Sequence, residues 1–200
     1  MRKKLSLIFL GMLCFFSIHA KKIDGVIVFS DKTANVTFDI PSSTSIGFNA
    51  DLQYLQKGVT YYEGNGDKKI LKPDDAKEFN FTVDGKEIRM LSTVKNNKDI
   101  FLHVIIDGNL KLYGFSFTEY DTKTPVVAGA PTVTTVNSVE TYLLQKGGGD
   151  LMKFNVLFFR KNMVKYLSEC PNLCEKIENK EYKYYNMVQI VNYYNSNCGK

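Results

Sequence analysis

Tryptophan is absent from the chain, and histidine occurs only twice, as His19 and His103. Two imidazoles leave little for a multi-histidine metal site. Four cysteines in 200 residues are too few for a disulfide-dense miniprotein. Five prolines and 14 glycines exclude fibrous and low-complexity architectures. Beyond residue 20 no segment approaches the roughly 18 consecutive apolar residues of a membrane-spanning helix. The chain carries no P-loop, dinucleotide fingerprint, H-E-x-x-H pair or calcium-binding loop, and no repeat of 20–50 residues. What is present is a globular composition. Hydrophobic residues make up 44%, with 12 Tyr and 14 Phe to fill a core. The length suits one domain with a small appendage.

The first twenty residues read as an export signal. Arg2, Lys3 and Lys4 form a basic start, Leu5 to Ile18 is an apolar core without a charge, and His19-Ala20 offers a cleavage point. Cys14 follows Leu13, whereas a lipid-anchored signal wants a small residue there. Cleavage after Ala20 removes three basic and no acidic residues. The remaining 23 basic and 21 acidic side chains leave a net charge of +2, in place of the +5 of the whole chain. One histidine and three cysteines remain. The basic residues are dispersed, so nucleic-acid binding is not expected. The expected location is the periplasm or outer envelope, with no membrane-spanning segment after cleavage.

From residue 23 to 158 the pattern is short alternating runs separated by turn residues. Gly25 to Phe29 and Asn35 to Ile40 read as a hairpin. Val59 to Glu63 and Lys69 to Leu71 flank Asn65-Gly66. Phe79 to Val83 and Glu87 to Leu91 flank Asp84-Gly85, a strong hairpin signal. Asp107-Gly108 joins Phe101–Ile106 to Leu110–Phe117, and the nearly continuous apolar run 101–106 reads as a central strand buried on both faces. Residues 121–138, with Pro125, Gly129 and Pro131, read as an exposed loop in which Thr-Val alternation could add a short edge strand. Val139 to Leu144 resumes strand character, Gly147 to Gly149 turns it, and Met152 to Phe158 closes the β-part.

Beyond Phe158 the period becomes helical. Met163 and Leu167 stand four apart, Pro171 suits a first helical turn, and Met187, Ile190, Val191 and Tyr194 follow i, i+3, i+4, i+7. The expectation is an α+β fold: an antiparallel curved sheet or half-open barrel over residues 21–158, with two to three short helices in 159–200 packed on it. Cys170 precedes one helix and Cys198 follows another. If those helices run antiparallel, the two ends meet and can be bridged. A Cys170–Cys174 bridge is disfavoured by side-chain direction, and Cys174 then sits on an apolar helix face.

The stretches Tyr166 to Leu173, Lys176 to Tyr182 and Ile190 to Asn195, with Cys198 after them, resemble the C-terminal end of a broad group of uncharacterised exported proteins of Bacteroidetes. Gly25-Val26-Ile27, Gly108 to Tyr113 and Tyr142 to Gly147 are similar too, with the match best over residues 100–198. Cys174 departs from the group's pattern, which has a small residue there. The resemblance implies an exported envelope protein and brings no activity with it.

No catalytic, cofactor-binding or metal-binding residue is singled out. His103 lies within an apolar strand, where a satisfied core histidine is the plainer reading. Asp74-Asp75 after Pro73 reads as a turn or a helix start. The first expectation for function is a non-catalytic binding module, monomeric or weakly associating, for an envelope protein or a glycan. Its contact surfaces would be loop 121–138 and the tyrosines Tyr182, Tyr184, Tyr185, Tyr193 and Tyr194. The alternatives are a carrier of small apolar ligands, with a pocket between sheet and helices, and a hydrolase with a dispersed carboxylate site.

Overall fold

A computed structural model describes residues 20–41, 49–123 and 133–199. The export-signal reading rests on residues 1–19 and lies outside the described residues. Alternation and turn chemistry produce ten strands: β1 (Ala20–Val28), β2 (Thr33–Pro41), β3 (Val59–Tyr62), β4 (Lys68–Leu71), β5 (Glu78–Val83), β6 (Lys86–Lys95), β7 (Lys98–Ile106), β8 (Leu110–Lys123), β9 (Val133–Lys146) and β10 (Met152–Lys153). They form one open antiparallel sheet in the order β10-β9-β8-β7-β6-β5-β1-β2-β3-β4. Four helices accompany it: α1 (Asn49–Leu55), α2 (Phe159–Tyr166), α3 (Pro171–Glu178) and α4 (Met187–Asn197). The α+β expectation holds, with the last three helices following the sheet.

The tight turns follow from backbone chemistry. Asp84 and Gly85 take φ values of 50° and 74°, and Asn96 and Asn97 take 52° and 58°. Those are the left-handed conformations a two-residue hairpin needs, and Asp, Asn and Gly tolerate them best. Gly108 serves a different purpose. A Cβ there would lie 2.8 Å from the Asn195 Cγ, so the glycine lets α4 approach the β7–β8 connection.

Two cores result. The inner faces of β1 to β7 converge on Phe38, Phe79, Phe81 and Phe101, and Leu52 and Leu55 of α1 join the same cluster. The Phe79 and Phe101 rings meet edge-on at 4.8 Å. Seven strands sharing one cluster means that this part of the sheet is curled on itself. The second core lies between β8–β9 and the C-terminal helices. Leu110, Leu112 and Leu144 face Met163, Leu167, Leu173, Ile177 and Ile190 there, all at most 1% exposed.

β8 supplies Leu110 and Leu112 to the helical core and Tyr113 to a small third cluster, and its β7-facing edge is satisfied in an unusual way. It pairs with β7 only from Leu112 to Gly114, across a bulge between Val104 and Ile106. Beyond each end a side-chain amide takes the place of a strand. The Leu110 N–H donates to Asn195 Oδ1 (2.8 Å), and Asn195 Nδ2 donates to the Leu110 carbonyl (2.9 Å). The Ser116 N–H donates to Gln56 Oε1 (2.7 Å), and Gln56 Nε2 donates to the Ser116 carbonyl (2.7 Å). Gln56 also accepts the Phe101 N–H on its own carbonyl, at 3.0 Å. A primary amide carries the same donor and acceptor as a peptide group, so each one completes a ladder that the neighbouring strand has left.

Three expectations need correction. Within 121–138 the described residues, 121–123 and 133–138, are paired strand: β8 and β9 run in register out to Lys123 opposite Val133. The Thr-Val alternation prevails there, and Pro125, Gly129 and Pro131 all fall in 124–132, outside the described residues. The closing strand 152–158 is only two residues long, because Asn155 accepts the Leu157 N–H (2.8 Å) and turns Val156–Phe158 into a 3₁₀ turn leading into α2. The run 101–106 is central, with Phe101 and Leu102 buried on opposite faces, but His103 to Ile106 are only half-buried. Helix α1 carries no sequence signal used above.

Candidate binding surface

The helical segment is built around its cysteines and tyrosines. Cys170 caps the start of α3 and Cys198 the end of α4; their Cα atoms are 5.6 Å apart and the two are bonded, closing a separation of 28 residues. Cys174 is free and buried. Its thiol donates to the Leu167 carbonyl at 3.1 Å, and burial foremost pushes its pKa up. A buried thiol held neutral is a poor nucleophile, so Cys174 acts as a small core residue.

The five tyrosines are not equivalent. Tyr194 is buried, and its hydroxyl donates to Glu169 Oε1 at 2.7 Å; burial and this bond together push its pKa up to about 12. Tyr184 meets the Phe159 ring edge-on at 5.7 Å, and its hydroxyl lies 3.3 Å from Thr141 Oγ1. Tyr182 and Tyr193 pack on each other, half-buried. Tyr185 alone is freely exposed, at 71%.

Two groups with chemical potential, His103 and Glu140, share one face of the sheet beside Gly114. His103 Nδ1 is buried without a hydrogen-bond partner, and burial lowers the imidazole pKa. Glu140 lies on the same face: a Cβ placed on Gly114 would be 2.7 Å from Glu140 Oε1 and 3.4 Å from His103 Nδ1. Burial raises the Glu140 pKa. Among the described residues no three His, Cys, Asp or Glu side chains converge as metal ligands. Asp75 accepts the Lys72 N–H at 2.8 Å, so Asp74-Asp75 forms a turn. An open cleft of about 540 Å³ lies at the rim of the helical core, between Phe154, Tyr166 and Glu169. There Lys146 Nζ bonds to Glu169 (2.6 Å) and to the Tyr166 carbonyl (2.6 Å), an arrangement that ties β9 to the end of α2.

The most exposed apolar surface lies at one end of the helical segment. Val156, Leu157 and Phe158 are consecutive and expose 63%, 84% and 60% of their area. Buried Phe159 follows them and touches Tyr184, whose chain neighbour Tyr185 is exposed. Sequence reasoning read 156–158 as strand and missed this surface. The signal that could have revealed it is four consecutive large apolar residues after Asn155, where alternation stops. Among the described residues no helix is long and apolar enough to cross a membrane. Comparison with protein families, with curated proteins and with solved structures finds no match.

Proposed function

We propose that this protein is exported and acts outside the cytoplasm as a non-catalytic binding module. It presents the apolar end formed by Val156, Leu157, Phe158 and Tyr185 to its partner. The observation that carries the reading is the contiguous exposure of Val156, Leu157 and Phe158 on a segment otherwise stapled and packed. Exposed apolar clusters of this kind mark interaction sites in soluble proteins. A basic N-terminus with an apolar core, and a bonded cysteine pair in the helical segment, support the export half of the proposal. His103 and Glu140 share one face, but among the described residues no third His, Cys, Asp or Glu joins them in a cluster, and this supports the non-catalytic half, since catalysis needs a nucleophile, base and stabilising groups converging on one reacting atom.

The test is site-specific photo-crosslinking in the producing cell. A photoreactive side chain at position 157 is expected to yield an adduct, whereas the same group at Asn65, in the turn between β3 and β4, yields none. Fractionation of the same cells should place the chain outside the cytoplasm. Equal labelling at both positions, or none at 157, would overturn the binding surface. Retention of the full-length chain in the cytoplasm would overturn the export half.

A further inference from the structure

We infer that the partner of this end is an anionic lipid surface, into which Leu157 and Phe158 insert. The inference rests on the binding-module reading and adds the chemistry of the partner. Two segments build the apolar end, and neither contains a carboxylate. Residues 151–168 carry Lys153, Arg160, Lys161 and Lys165 without one Asp or Glu, and residues 182–200 carry Lys183 and Lys200, again without one. Among the described residues, Arg160, Lys161 and Lys165 are exposed and form no ion pair. The acidic side chains of the helical segment, Glu169, Glu175, Glu178 and Glu181, all lie in the intervening stretch 169–181. Glu169 is bonded to Lys146 and Glu181 to Lys176.

Exposed Arg160 and Lys161, which form no ion pair, therefore stand directly after a turn whose side chains project into solvent. Leu157 stands 84% exposed on a 3₁₀ turn, a convex feature suited to a deformable apolar phase rather than to a preformed pocket. Tyr185 adds an amphipathic ring with Lys183 Nζ 5.9 Å from its centre. Aromatic rings and long cationic side chains favour the headgroup level of a bilayer, where the stem is apolar and the tip is wet. Shallow apolar insertion combined with basic residues is the physical pattern of reversible, charge-dependent membrane association.

The absence of tryptophan gives a direct test. Leu157→Trp makes a single reporter, and Asn65→Trp, at the opposite edge of the sheet, makes its control. Each reports only its own surroundings, so the apolar segment 5–18 of the full chain does not contribute to the reading. With phosphatidylglycerol vesicles at low ionic strength, Trp emission from position 157 should shift to the blue and emission from position 65 should not. The shift should weaken with added salt and be lost with phosphatidylcholine vesicles. Adding Arg160→Glu and Lys161→Glu to the reporter chain should lower vesicle affinity about tenfold or more. These exposed substitutions leave the fold intact, which far-ultraviolet circular dichroism of the same samples verifies. No shift at position 157 with anionic vesicles, or equal shifts at both positions, overturns the inference. If that failure is accompanied by a protein adduct at position 157 in cells, the binding module stands with a protein partner. If position 157 yields no adduct either, both readings fall.

Discussion

Replacing Gln56 by Leu tests whether a side-chain amide really completes the β8 ladder. Gln56 is 5% exposed and Ser116 2%, so water does not replace the two bonds of 2.7 Å between them. Leucine has a similar size and fills the same space, and the backbone carbonyl of residue 56 still accepts from Phe101. The substitution therefore isolates the loss of one donor and one acceptor, and leaves the Ser116 N–H and C=O buried and unpaired. At about 1–3 kcal/mol for each of the two unsatisfied groups, the expected destabilisation is about 2–6 kcal/mol. That is a large part of the ~5–15 kcal/mol total of a typical domain. Urea unfolding should show the midpoint falling by about 1–3 M for a slope of about 2 kcal/mol/M. Gln56→Glu adds a second, signed reading. An ionised carboxylate accepts from the Ser116 N–H but repels the Ser116 carbonyl, whereas a protonated one restores the donor. The folded state then holds the proton more tightly than the unfolded chain, so stability of this variant falls as pH rises through the unfolded value near 4.3. A Leu variant within about 0.5 kcal/mol of the parent would refute the reasoning, because it would put the cost of both unpaired groups near zero.

Reduction of the Cys170–Cys198 bridge, which spans 28 residues, should cost about 3–4 kcal/mol in the chain-entropy model. In the chain lacking residues 1–20, thiol labelling of the oxidised protein should reach Cys174 only after unfolding and never Cys198. Gly25→Ala should destabilise by roughly 1–3 kcal/mol or more in denaturant titrations, since its Cβ would sit 2.7 Å from the Phe38 ring and 2.9 Å from the Phe81 Cβ. The half-buried pair gives two opposite pH dependences. Burial depresses the His103 pKa below 6.5, so its contribution is present above that value and is lost as pH falls toward the folded pKa. His103→Gln should flatten that acid limb of the stability profile. Burial raises the Glu140 pKa above 4.5, so stability falls as pH rises through that window, and Glu140→Gln should be more stable than the parent at pH 7.

Much of the fold was legible because its determinants are local. Asp84-Gly85 and Asn65-Gly66 mark hairpins because few residues accept positive φ. The strands between them alternate because one face meets the phenylalanine core. Pro171, the Met187–Tyr194 period and the facing helix ends led to α3, α4 and the Cys170–Cys198 bridge for the same kind of reason. The proposed site was less legible. Of the five tyrosines singled out, four pack within the helical core or its rim, and only Tyr185 is freely exposed. Aromatic spacing in a chain does not say which ring faces inward.

What the sequence alone determined is therefore the α+β class, the run of hairpins and the cysteine pairing, each encoded within a few residues or by two helix ends. Tertiary structure decided the rest. It set Gln56 against Ser116, 60 residues away, and Asn195 against Leu110, 85 away. It extended β8 and β9 into a paired ribbon, and it left Val156, Leu157 and Phe158 uncovered while Phe159 was buried. The physical reason is the same in each case. Whether an amide meets a vacant strand edge, or an apolar side chain meets a core, depends on what the rest of the chain brings to that place, and no local pattern records it.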